Sequence, residues 1–117
     1  GFRVRFDRPE EGFAYLERDG AEVMLEQLVD SPRTWRTAAL ERPLGRGINF
    51  QIEVDDLAPI LARLRAADVR LFREPEERWY RDNAIEHGQR QFLVQDPDGY
   101  LLRLAQVLGT RPVRPAA

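Results

Sequence analysis

Apolar and polar residues alternate with a period of two along much of this chain, and a helical period interrupts them once. Phe2, Val4 and Phe6 oppose Arg3, Arg5 and Asp7, which predicts a half-buried strand over 2–7. Pro9-Glu10-Glu11-Gly12 is turn chemistry, and residues 13–18 and 21–28 read as a hairpin about Asp19-Gly20, a dipeptide that accepts the positive φ of a tight turn. Ser31-Pro32-Arg33 predicts the cap of a short helix reaching about Ala39, and Glu41 to Arg46 a linker. Ile48, Phe50, Ile52 and Val54 then alternate with Asn49, Gln51 and Glu53, so one face of this strand packs and the other meets something wet. Leu57, Ile60, Leu61 and Leu64 recur at helical spacing and predict a helix over 57–67, capped by Asp55 or Asp56. Pro59 falls in its first turn, where a missing donor costs little.

The remainder reads as a strand over 69–74 ending at Pro75, with Trp79-Tyr80-Arg81 either continuing it or opening a loop. Asp82 to Gly88 reads as a polar loop, and 89–95 with 100–107 as a last hairpin about Asp96-Pro97-Asp98-Gly99.

These elements repeat. Setting Leu16 on Leu93, Gly20 on Gly99, Met24 on Arg103 and Leu25 on Leu104 matches the stretch ending at Gln27 to the one ending at Gln106. The order is βββ followed by βαβββ, so the first copy is expected to lack its leading strand and helix. The fold class is therefore α+β: paired βαβββ units forming a curved mixed sheet around a cleft, in one domain. Residues 1–40 form the truncated first unit, 46–108 the second, and 109–117 a mobile, solvated tail.

Composition narrows the chemistry. A chain of 117 residues with 43% hydrophobic content is one domain with a core to bury. It has no cysteine, which excludes disulfides and thiolate catalysis, and all 18 of its basic residues are arginine, which excludes Schiff-base chemistry. A net charge of −2 leaves no footprint for nucleic acid, and no apolar run approaches a membrane span. A soluble, cytoplasmic protein is expected. His87, the single histidine, has no serine and acid partner in the pattern and reads as a surface-loop residue.

The run Ile52-Glu53-Val54-Asp55-Asp56-Leu57, followed by Phe92-Leu93-Val94-Gln95-Asp96-Pro97-Asp98-Gly99-Tyr100-Leu101-Leu102-Arg103-Leu104, resembles the vicinal oxygen chelate superfamily of glyoxalases, extradiol dioxygenases and bleomycin-resistance proteins. The resemblance implies a divalent metal held by His and Glu from both units. At the implied ligand positions this chain carries Asn49, Arg103 and, through the repeat, Met24. Amide, guanidinium and thioether do not make a metal site, so neither metal nor other cofactor is expected. Glu26 and Glu53 are the acids that a shifted register would bring in.

A metal-free member resembles the bleomycin-resistance branch, which implies a homodimer sequestering a cationic or planar ligand, such as a bleomycin-type antibiotic, in an intersubunit cleft. The ligand-binding residues expected on that basis are Trp35, Asn49, Gln51, Trp79, Tyr80, Glu86, Gln91 and Arg103. The alternative is a metal-dependent lyase, isomerase or dioxygenase with ligands outside the usual positions.

Overall fold

The computed structural model describes residues 2–29, 32, 34–41 and 44–115. β1 (Arg3–Arg8), β2 (Phe13–Arg18) and β3 (Ala21–Glu26) form an antiparallel sheet in that order. β4 (Asn49–Glu53), α1 (Ala58–Ala66), β5 (Arg73–Asp82), β6 (Ile85–Gln95) and β7 (Leu101–Pro112) build a second sheet of order β4-β7-β6-β5, in which β4 runs parallel to β7. These are the βββ and βαβββ units that the pattern predicts, in an α+β fold.

The helix packs on one face of the second sheet. Leu57 and Leu61 meet Phe92, Val94 and Leu104 in a buried hydrophobic cluster. Burying each such side chain contributes roughly 1.5–3 kcal/mol. The N-cap is Leu57 rather than Asp55 or Asp56, and it makes no side-chain cap bond; Asp56 Oδ1, one residue earlier, accepts from Ala58 N–H at 3.0 Å, while Gln106 Oε1 accepts from Leu57 N–H at 3.1 Å. Alternation then points Gln91, Leu93, Leu101 and Arg103 to the other face, towards the first sheet.

The sheets meet where β1 approaches β5. Arg8, 4% exposed, bonds Glu11 with its Nε, donates Nη1 to Arg81 O at 2.8 Å and lays its guanidinium 3.9 Å from the Phe13 ring. Glu10 pairs with Arg81 alongside.

Several expectations are corrected. No strand covers 69–72; β5 starts at Arg73 and runs through Pro75 to Asp82. Proline is tolerated because β5 is an edge strand and its pairing is irregular between Arg73 and Glu76. The loop expected over 82–88 is a two-residue turn, Asn83-Ala84, with Asn83 at φ +53°; polar composition hid a hairpin whose asparagine accepts the left-handed region. The tail is shorter than expected, since β7 continues to Pro112, where Ile85 pairs with it. Residues 34–41 form no helix, while Ser31 and Arg33 of the expected cap lie outside the described residues. A single turn cannot offset its nucleation cost, and Thr34 instead donates its hydroxyl to Val29 O at 3.0 Å.

The repeat also slips. Arg18 pairs with Ala21 across a two-residue turn, but Gln95 pairs with Leu101 across five residues. Leu16 therefore pairs with Val23, whereas Leu93 pairs with Arg103, and the overlay of Leu16 on Leu93 joins residues of opposite faces. One residue of slip turns a strand over. The overlay of Met24 on Arg103 survives it.

Candidate functional site

The facing sides of the two sheets carry polar side chains, and Arg103 spans the space between them to Met24. The side chain is 7% exposed, because its neighbours along β7, Leu101 and Ala105, are buried too. Its Nη2 donates to Met24 Sδ at 3.9 Å across that space, and its guanidinium lies 5.3 Å from the Trp35 ring. Its Nε is buried without a hydrogen-bond partner. Burial pushes the guanidinium below its ordinary pKa, opposed by Tyr80, which bonds it, and by the nearby charge of Glu26.

One wall is a polar relay on β5 and β6. Gln91, completely buried, donates Nε2 to Tyr80 OH at 2.6 Å and lies 3.4 Å from Glu76 Oε1, while Gln89 donates to Gln91 Oε1. The register explains this grouping, since Glu76 opposes Gln91 and Arg78 opposes Gln89 on the same face of the sheet. On the first sheet Tyr15 stacks on Phe6 at 5.0 Å and donates to Glu22 Oε2 at 2.7 Å. Burial first, then that bond to Glu22, raises the Tyr15 hydroxyl to about 12. His87, expected on a loop, is on β6, with Nε2 2.7 Å from Asp82 Oδ2 and its ring stacked on Phe6.

Of the residues expected to bind ligand, Trp35, Tyr80, Gln91 and Arg103 come together here. Asn49 and Gln51 lie on β4 opposite Leu101 and Arg103, so they share that side of the sheet. Glu53 continues that row on β4, and Glu26 extends the row of Met24 on β3; both are exposed. Trp79 and Glu86 are elsewhere. Alternation turns Trp79 away from Tyr80, onto Gly88, where the Arg111 guanidinium covers it at 4.0 Å and bonds Glu86 Oε1 at 3.0 Å. The sequence did not single out Tyr15 or Gln89, and no local signal marks them, because their roles come from pairing across sheets.

Among the described residues, no three His, Cys, Asp or Glu side chains are grouped to hold a metal ion. No helix among them is long and apolar enough to cross a membrane.

No family model and no curated protein matches the chain. Solved structures do. A glyoxalase/bleomycin resistance protein/dioxygenase superfamily member from Vibrio splendidus 12B01 is 41% identical, with a TM-score of 0.65 over 92% of this chain and 80% of its own. TioX from Micromonospora sp. ML1 is 24% identical over the same shares, at a TM-score of 0.42. A glyoxalase/bleomycin resistance protein/dioxygenase from Alicyclobacillus acidocaldarius is 16% identical, at 0.42 over 92% of this chain and 74% of its own. The last two scores are too low to carry argument. At 41% identity over nine-tenths of its length, with the strand order that its repeat predicts, the chain belongs to the glyoxalase/bleomycin resistance protein/dioxygenase superfamily.

Proposed function

We propose that the protein binds a small planar molecule in the space between its sheets without a metal, as a sequestering protein of the bleomycin-resistance type acting in the cytoplasm. The donor set carries this reading. The positions that the resemblance assigns to chelation hold a thioether at Met24, an amide at Asn49 and a guanidinium at Arg103. A dication asks for about three donors with carboxylate or imidazole among them, and a guanidinium at the centre repels it.

Trp35 and Tyr80 supply aromatic surface against which a flat guest stacks. The Arg103 charge opposes a cationic guest, so a neutral or anionic one suits the site better.

A homodimer is the assembly we propose. Val4, Leu16, Val23 and Leu25 share a face of the first sheet that no described helix covers, and β3 and β4 are sheet edges. Apolar faces and open edges favour pairing with a second copy.

The test is calorimetry on chelator-treated protein with metal-free bleomycin, copper-loaded bleomycin and a panel of neutral planar aromatics, with elemental analysis of the purified protein. Heat from any of these without metal supports the reading. Stoichiometric tightly held metal, or binding only after a divalent ion is added, overturns it. Light scattering that gives the mass of a monomer overturns the dimer.

A further inference from the structure

Among the described residues two arginines are buried, and their surroundings differ. Arg8 is fully engaged: a carboxylate on Nε, a backbone carbonyl on Nη1 and an aromatic ring beneath. Arg103 is not. Its Nε has no partner, its Nη2 reaches a thioether, its other polar neighbour is the uncharged Tyr80 hydroxyl, and no carboxylate among the described residues is within ion-pair distance of it. A guanidinium presents a planar fork of donors suited to a carboxylate, and a charged group taken from water without one is costly.

We propose that Arg103 is the anchor for the carboxylate of an aromatic acid, which displaces the Met24 sulfur and takes the Nε and Nη2 donors together while its ring lies against Trp35. This rests on the metal-independent reading above and names the chemical class of its guest.

Three features favour it. A thioether is a weak acceptor, so exchanging it for an anionic oxygen gains a charge-assisted bond. Met24 is 42% exposed on an unbranched side chain, so it can swing aside without disturbing the core. Tyr80 is held by Gln91 at 2.6 Å, which fixes the wall beside the guanidinium before any guest arrives.

The experiment titrates benzoate, benzamide and benzylamine into the chelator-treated full chain. Binding is read from the indole N–H resonances of Trp35 and Trp79, assigned with Trp35→Phe. Trp79, on the opposite face, is the internal control. Benzoate is expected to move the Trp35 resonance and leave Trp79 in place, and to bind at least about tenfold more tightly than benzamide.

Arg103→Gln and Arg103→Met are each expected to abolish that preference, and two variants guard against a failure to fold. Met24→Ala, which clears the fork, is expected to keep it. Equal binding of benzoate and benzamide, or a preference surviving in both Arg103 variants, overturns the anchor. If benzamide or benzylamine binds and benzoate does not, the anchor falls and the metal-independent reading stands. If no probe binds until Mn2+ is added, both fall.

Discussion

Met24 and Arg103 occupy matching positions of the two repeated hairpins, and they touch: Arg103 Nη2 donates to Met24 Sδ at 3.9 Å. A repeat that folds its copies towards one another brings equivalent positions face to face. In this chain the pair is a thioether and a guanidinium, so the centre of the site holds one cation with a soft, weak acceptor opposite it.

Replacing Arg103 should therefore stabilise the protein. Arg103→Met removes a buried charge that has no carboxylate, at similar volume, and is expected to raise stability by about 1–3 kcal/mol, with Tm rising by roughly 3–6 °C for each kcal/mol. Arg8→Met, at the other buried arginine, removes bonds to Glu11 and Arg81 O and is expected to cost about 2–3 kcal/mol. Urea melts of both variants check the contrast, and loss of stability at both sites would contradict it.

Metal removal should leave the fold untouched. A ligand that binds only the folded state raises Tm with the logarithm of its concentration over Kd, so with no metal bound EDTA, Mn2+, Ni2+ or Zn2+ is expected to move the melting point by less than about 1 °C. Scanning calorimetry in chelator-treated buffer checks this.

Tyr15 makes stability fall at high pH. With its hydroxyl raised from 10.0 to about 12, the folded chain keeps a proton that the unfolded chain releases above 10. The contribution is complete below pH 10 and is lost as pH rises through 12. Absorbance titration of the three tyrosines should show a late step, and Tyr15→Phe should remove it.

Gly88 is required by a ring rather than by backbone conformation. A Cβ there overlaps the six-membered ring of Trp79, so Gly88→Ala is expected to cost about 1–3 kcal/mol. In a Trp79→Ala background the same change should cost markedly less, which a double-mutant cycle in urea measures.

The second unit was legible because its patterns are strong. Strict alternation over Ile48 to Val54 marks a strand, although its apolar face is not packed as expected, Phe50 being 49% and Ile52 43% exposed, while helical spacing over Leu57 to Leu64 and Asp96-Pro97-Asp98-Gly99 each have one reading. That turn forms as expected, with Asp96 Oδ1 accepting from the N–H groups of Asp98 and Tyr100 at 2.9 Å. Pro75 and the polar run from Asp82 misled, because an edge strand tolerates proline and an exposed hairpin tolerates charge.

The site was half legible. Trp35, Tyr80, Gln91 and Arg103 converge, but Trp79 and Glu86, drawn from the same stretches, are directed to the other face. Composition marks an aromatic residue as a candidate, while its parity along the strand decides where it points.

By itself the sequence determined the unit order and the helix, since periodicity and turn chemistry are local properties, and it carried the resemblance to the superfamily. Only the tertiary structure decided that Arg103 is buried without a carboxylate, that Met24 meets it, and that Tyr15 rather than Leu16 is the counterpart of Leu93. Those are facts about which faces oppose each other, and the register between strands distant in the chain sets them.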